Sequence, residues 1–309
     1  MIEIILNILF LGLGFAMLAK GSDWFVDGAA SIAAKFKIPQ LIIGLTIVAM
    51  GTSAPEAAVS ITAAYNGSAD ITIGNVIGSN ILNVFIILGL ASVIIPIAVS
   101  KSTLRIDTPF MIAVSALLLI FGLNETVELY EGIIMLVIFA AYIVYLIVQA
   151  KKNKEEAEET KNYSVPVAIL LTLIGLGVVI AGSKFTVDTA TFLAGKMGLS
   201  EKFIGLTVVA LGTSLPELFT SVTAARKGNA DIAIGNIVGS NILNILMVVG
   251  LSAIIIPVPF AKDFIFDFGV AIASGVLLWV FSCKGKLKRW SGAVFLLCYA
   301  LYFVKLLII

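Results

Sequence analysis

The feature that most constrains this 309-residue chain is an internal duplication written in apolar sequence. GLTIVAMGTSAPE at 44-56 returns as GLTVVALGTSLPE at 205-217, and GNVIGSNILN at 74-83 returns as GNIVGSNILN at 235-244, both at an offset of 161. Between 44-96 and 205-257, 32 of 53 positions are identical. Apolarity alone does not produce that agreement, so one unit has been copied. The match reaches back to Gly21-Ser22 against Gly182-Ser183 and Asp27 against Asp188, and forward to Pro96 against Pro257.

The copied unit belongs in a membrane. The chain is 60% hydrophobic and 13% charged, against about 25% charged in soluble domains. A transmembrane helix needs roughly 20 mostly apolar residues, and that window places spans at 4-33, 40-65, 71-97, 104-123, 128-150, 164-193, 201-226, 232-257, 263-283 and 287-309. The expected fold is all-α and polytopic, with ten transmembrane helices. Each copy holds five, an odd number, so the second enters the bilayer in the opposite sense. Inverted repeats of this kind put a substrate site near the midplane at their interface, which is a transporter architecture. The organisation expected is a first repeat at 1-150, a charged cytoplasmic linker at 151-163 built on KKNKEEAEETKN, and a second repeat at 164-309.

Basic residues set the orientation. Odd-numbered loops hold 14 Lys and Arg, even-numbered loops only Lys196, Lys202 and Lys262. Odd loops are therefore expected in the cytoplasm and both termini outside the cell membrane. The first span lacks a basic leader and runs into Lys20, Asp23 and Asp27, so it reads as a retained helix. With no histidine, a His dyad, His metal site or His proton relay is excluded. Cys283 and Cys298 lack the spacing of a metal site, and a net charge of +1 gives no reason to invoke nucleic acid.

Two buried glutamates carry the chemistry. An ionisable residue deep in a membrane costs roughly 2.5 to 3.5 kcal/mol on insertion scales, so it persists where it does a job. Glu56 and Glu217 fall near the middle of spans 2 and 7. On a helix Ala49, Ser53 and Glu56 share a face, with Thr52 one turn before the glutamate, and the second copy repeats this with Ala210, Thr213, Ser214 and Glu217. Span 3 carries Asn75, Ser79 and Asn83 at i+4 spacing, and span 8 carries Asn236, Ser240 and Asn244.

Pro55 and Pro216 remove a backbone donor and free the carbonyls of Gly51 and Gly212. Carboxylate, hydroxyl, amide and carbonyl oxygens without sulfur or imidazole form a set for hard cations such as Ca2+ or Na+. A proline kink with a snorkelling glutamate would explain one such motif, but not two in inverted copies. Gly74, Gly78, Gly235 and Gly239 read as helix-packing glycines. Asn75, Asn80, Asn236 and Asn241 suit interhelical hydrogen bonds as well as a site. Asp23, Asp27, Lys184 and Asp188 read as interfacial, and Glu125, Glu128 and Glu131 as a solvated loop.

At these motifs the sequence resembles the cation/Ca2+ exchanger superfamily, most closely the prokaryotic Na+/Ca2+ exchangers, whose two repeats carry GTS-x-PE and GN-x2-GSN-x2-N. The resemblance covers essentially the whole chain. It implies Glu56 and Glu217 at the centre, bridging Ca2+ with the backbone oxygens of Thr52 and Thr213. Flanking Na+ positions would use Ala49, Thr52, Ser53 and Ser79 in one half and Ala210, Thr213, Ser214 and Ser240 in the other, with Asn83 and Asn244 completing the middle.

Several relatives have aspartate where this chain has Asn244, so the site here carries two formal negative charges. A third Na+ would leave it positive and make exchange electrogenic, and Asn244 argues against K+ dependence. The expected activity is exchange of Na+ for Ca2+ by alternating access, in a monomer in the lipid bilayer, with the ions as substrates and no cofactor. A Ca2+/H+ exchanger is the nearest alternative and a cation channel a more distant one. An intramembrane aspartyl protease needs two mid-membrane aspartates, and here the acids are glutamates, so an enzyme is not expected.

Overall fold

A computed structural model of the protein describes residues 2–152, 163–198 and 210–308. Most of the linker expected at 151-163 and the start of the seventh span lie outside the described residues. The chain is mostly helical. α1 (Ile2–Phe36) is followed by α2 (Gln40–Thr52), α3 (Ala54–Tyr65), α4 (Asp70–Ile94), α5 (Thr103–Gly122) and α6 (Leu129–Lys152). Then come α7 (Val165–Lys196), the short α8 (Ala210–Thr213), α9 (Leu215–Arg226), α10 (Ala230–Ile255), α11 (Phe264–Ser282) and α12 (Arg289–Ile308). Among the described residues eight helices are long and apolar enough to cross a membrane, or nine if the bent pair α2–α3 is one span.

Span ends differ from the apolar windows for local reasons. The windows 71-97 and 232-257 overrun, because the helices stop at Ile94 and Ile255 and the next residues, Ile95 and Ile256, are extended at φ −138° and −154°. Pro96 and Pro257 follow, and a proline pushes the residue before it out of the helical region. The window 4-33 falls short, since α1 runs on to Phe36 and ends where Lys37 turns at φ 54°.

The duplication continues beyond Pro96 and Pro257. β1 (Ile97–Ala98) pairs antiparallel with β4 (Lys286–Leu287), and β2 (Thr126–Val127) with β3 (Val258–Pro259), so each short ladder joins the two halves. β1 and β3 are 161 residues apart, while β2 and β4 are 160 apart. The second copy is one residue shorter between them, which hides the match from a fixed offset. Beyond that deletion Tyr142 donates to Asp107 Oδ1 at 3.1 Å and Tyr302 to Asp267 Oδ1 at 3.0 Å, the same bond at an offset of 160.

α1 and α7 cross antiparallel through small residues. A Cβ on Gly21 would meet Val179 N at 2.9 Å and Gly175 O at 3.0 Å, and one on Gly182 would meet Leu18 N at 3.0 Å. Gly14, Gly21 and Gly28 recur every seven residues on one side and Gly175 and Gly182 on the other, so the backbones touch along the crossing. A Cβ on Gly175 would collide with backbone N and Cα of Phe25 and O of Gly21, none of which can rotate away. Gly175→Val is therefore expected to destabilise by roughly 1–3 kcal/mol, read as a lower melting temperature in detergent. Gly177→Ala is the control, because a Cβ there meets nothing within 4 Å.

Candidate functional site

The site forms where the broken helices meet α4 and α10. Ser53, at φ −82° and ψ 7°, separates α2 from α3, and the two helices bend by 50° there. Ser214, at φ −89° and ψ 5°, breaks the second copy in the same way before Pro216. Each break turns its serine and glutamate inward. α4 and α10 each pass into a π-helical stretch beginning at Asn83 and at Asn244, a local widening common at functional positions.

The expected residues converge in the centre. Thr52, Ser53, Glu56, Ser79, Asn83, Ser214, Glu217, Ser240 and Asn244 are all at most 3% exposed. Ser53 Oγ donates to Glu217 Oε1 at 2.8 Å, and Ser214 Oγ donates to Glu56 Oε1 at 3.2 Å, so each half holds the other half's carboxylate. Thr52 Oγ1 lies 3.0 Å from Asn236 Oδ1 and donates to the Val48 carbonyl at 3.1 Å. Ala49 is fully buried, and its carbonyl already accepts the Ser53 N–H. The side chain of Ala210 lies outside the described residues; Thr213 is on α8, on the wall of two cavities.

Six asparagines resolve into different tasks. Asn80 and Asn241 each donate to the other's backbone carbonyl at 3.2 Å. Asn83 Nδ2 donates to Asn241 Oδ1 at 2.8 Å and Asn244 Nδ2 to Asn80 Oδ1 at 3.1 Å. Asn80 and Asn241 are thus the interhelical tie, and they aim the oxygens of Asn83 and Asn244. Asn75 and Asn236 brace the glutamate helices by donating at 2.9 Å to Ser60 Oγ and Ser221 Oγ.

After these bonds are counted, a set of buried oxygens has no hydrogen-bond partner: Glu56 Oε2, Glu217 Oε2, Asn83 Oδ1, Asn244 Oδ1, Ser240 Oγ and Thr220 Oγ1. Burying such groups unpaired is expensive, and their common property is the power to accept. A hard cation would supply what they lack. Sequence reasoning missed Thr220, whose equivalent in the first half is Val59; its position three residues after Glu217 on the same helix was the available signal.

One of the two freed glycine carbonyls is already taken. Ser183 Oγ on α7 donates to the Gly212 carbonyl at 2.7 Å, so that oxygen is occupied within the protein. Its counterpart Ser22 Oγ has no partner, and the two halves differ here although the residues are the same.

Two cavities lead to Thr213. One of about 590 Å³ is lined by Pro55, Ser183, Lys184, Asp188 and Gly212 as well. The other, of about 520 Å³, runs past Asp70, Asn75, Gly78, Asp267 and Tyr302. Lys184 and Asp188 are exposed and line the first cavity beside Thr213. Gly74 and Gly78 face the second cavity, whereas Gly235 and Gly239 pack tightly on α2, where a Cβ would meet Leu41 O at 2.8 Å and Leu45 O at 2.7 Å. Asp23 and Asp27 are held by Lys227 at 3.1 and 2.8 Å. Of the three acids expected in a solvated loop, Glu125 pairs with exposed Lys262 as expected, but Glu131 is a correction: it is buried in the first turn of α6, where its carboxylate accepts the Glu128 N–H.

Comparison with known proteins places the arrangement. The family described as sodium/calcium exchanger protein matches residues 6–148 and 167–307. The sodium/calcium exchanger MaX1 of Methanosarcina acetivorans is 34% identical over 346 aligned positions, covering 98% of this chain and 99% of that protein. The inner membrane protein YrbG of Escherichia coli is 35% identical, with 86% of each chain covered. A structure of the sodium-calcium exchanger NCX_Mj soaked with Na+ and no Ca2+ superposes with a TM-score of 0.87 at 33% identity, covering 97% of this chain and 99% of that one.

Proposed function

This chain belongs to the sodium/calcium exchanger protein family, and from that premise we propose that it exchanges Na+ for Ca2+ across the cell membrane by alternating access. The observation that carries this is the set of buried acceptor oxygens around Glu56 and Glu217 that nothing in the protein satisfies. The ligand set is Glu56, Glu217, Thr52, Thr213, Ser53, Ser214, Ala49, Ala210, Ser79, Ser240, Asn83 and Asn244. Ca2+ lies between the two carboxylates, and Na+ takes the flanking hydroxyl, carbonyl and amide oxygens.

The frame is ten helices in two inverted five-helix repeats, at 1-150 and 164-309, working as a monomer with both termini outside. The paired exchange of bonds between positions 161 apart supports that frame, as does the antiparallel crossing of α1 and α7. These two helices are the gate. Their glycine faces let them move together along the site without unpacking.

The two glutamates carry two formal negative charges, balanced by one Ca2+ or two Na+. A third Na+ leaves the loaded site positive, so exchange is electrogenic, and with asparagine at position 244 it proceeds without K+. The test is Ca2+ uptake into proteoliposomes driven by an outward Na+ gradient at clamped voltage, with and without K+, beside an outward H+ gradient alone. The expected result is uptake only with Na+, indifferent to K+ and accelerated by an inside-positive potential that favours Na+ exit. Uptake driven by H+ alone assigns the protein to Ca2+/H+ exchange.

A further inference from the structure

We propose that Asp107 and Asp231, with Ser100, Ser102, Tyr145 and Gln149, form a second cation-binding site that takes Na+ or Ca2+ at the mouth opposite the Asp70–Asp267 vestibule. All six line one cavity of about 230 Å³. It lies at the other end of the bundle: Asp70 begins α4, whereas Ser100 and Ser102 follow its far end. The cavity wall contains two carboxylates and no basic side chain.

Asp107 is the anchor. It is 1% exposed, its Oδ1 accepts the Tyr142 hydroxyl, and its Oδ2 has no partner. The Tyr145 hydroxyl, on the same wall, is also without one. A buried carboxylate with an unsatisfied oxygen calls for a positive partner, and hydroxyl, amide and carboxylate donors select a hard cation.

The second half of the protein shows what that partner replaces. At an offset of 160, Asp107 and Tyr142 correspond to Asp267 and Tyr302, which make the same bond. Tyr145 corresponds to Lys305, whose ammonium lies over the Phe266 ring and acts electrostatically on the neighbouring Asp267 without forming an ion pair with it. One copy thus carries a positive charge near its carboxylate on a covalent tether. The other copy has a tyrosine oxygen in that place, and a diffusible cation takes the role of the ammonium.

The site stands apart from Glu56 and Glu217, so its test uses a Glu56→Gln/Glu217→Gln background. Melting of the purified protein in detergent is followed with NaCl alone and with CaCl2 alone, each against choline chloride at equal ionic strength. A ligand that binds only the folded form raises the melting temperature saturably, and we expect a rise of about 2 °C or more at saturation. A response in one salt identifies the ion, and a response in both means that the two share the site.

Asp107→Asn should abolish the rise. Tyr145→Lys, which imports the tether of the other half, should abolish it while leaving the melting temperature in choline unchanged or higher, so the result does not depend on the asparagine variant folding. No saturable rise in either salt overturns the proposal, as does a rise that survives both substitutions. A rise in the glutamine background equal in size and midpoint to that of the unsubstituted protein, and insensitive to both, overturns the central ligand assignment as well.

Discussion

Glu56→Gln and Glu217→Gln are each expected to reduce Na+-driven Ca2+ uptake to the level of protein-free liposomes. Glutamine keeps the shape of glutamate, and the side chain at 56 can still accept the Ser214 hydroxyl through its carbonyl oxygen, as can the one at 217 from Ser53. Two things change. The oxygen that has no partner in either glutamate becomes an NH2 donor facing the place of the ion, and the site's charge falls from −2 to −1. Removing one partner of a buried charge interaction costs roughly 2–5 kcal/mol, which is a loss of Ca2+ affinity of roughly 30- to several-thousand-fold. The ion-free protein should melt no lower than the parent, because two buried carboxylates no longer repel each other. Loss of uptake with an intact melting curve assigns the effect to ion binding. Uptake retained in both variants removes these residues from the site.

Asn244→Asp should move charge within the cycle. It raises the site from −2 to −3, so Ca2+ leaves it at −1 and three Na+ leave it neutral. The voltage-dependent step then shifts from the Na+-loaded transition to the Ca2+-loaded one, as measured by charge movement on a supported membrane under each ion alone. Ca2+ affinity should rise on the order of tenfold, since another carboxylate joins the ligand set. The ion-free protein carries a cost. Asn244 Nδ2 donates to Asn80 Oδ1 at 3.1 Å, and a carboxylate there would face that oxygen with no hydrogen between them. Turning the Asn80 amide over would relieve this but break its 3.2 Å bond to the Asn241 carbonyl. A lost buried bond of this kind costs roughly 1–3 kcal/mol, so the melting temperature should drop without ions and recover in Ca2+. An unchanged voltage dependence would falsify the two-charge description of the site.

Some of the site could be read from one dimension and some could not. Glu56 and Glu217 were visible because buried acids are costly and because the duplication shows each of them twice. The assignment of Asn80 and Asn241 to the tie, and of Asn83 and Asn244 to the buried unpartnered oxygens, was not visible, since i+3 spacing puts both pairs near one face and only the partner helix decides which amide meets which. Lys227 reads as a loop residue, yet it holds Asp23 and Asp27 of α1 from 200 or more positions away. The equivalent of Lys227 in the first half is Asn66, so the lock exists in one copy only.

By itself the sequence determined the class of the protein: apolar spans mark a helical membrane fold, the offset of 161 marks one unit copied, and the duplicated GTS-x-PE and GN-x2-GSN-x2-N motifs mark the sodium/calcium exchanger family. Those properties follow from composition, periodicity and repetition, which are local and additive along the chain. Tertiary structure decided which halves exchange which bonds. It occupied Gly212's carbonyl with Ser183 while Ser22 has no partner, and left Gly74 and Gly78 beside a cavity while Gly235 and Gly239 pack on α2. Gly51 and Gly212, or Gly74 and Gly235, share their residue type and closely similar neighbours in sequence, so the difference between them comes from how the rest of the bundle packs against each copy.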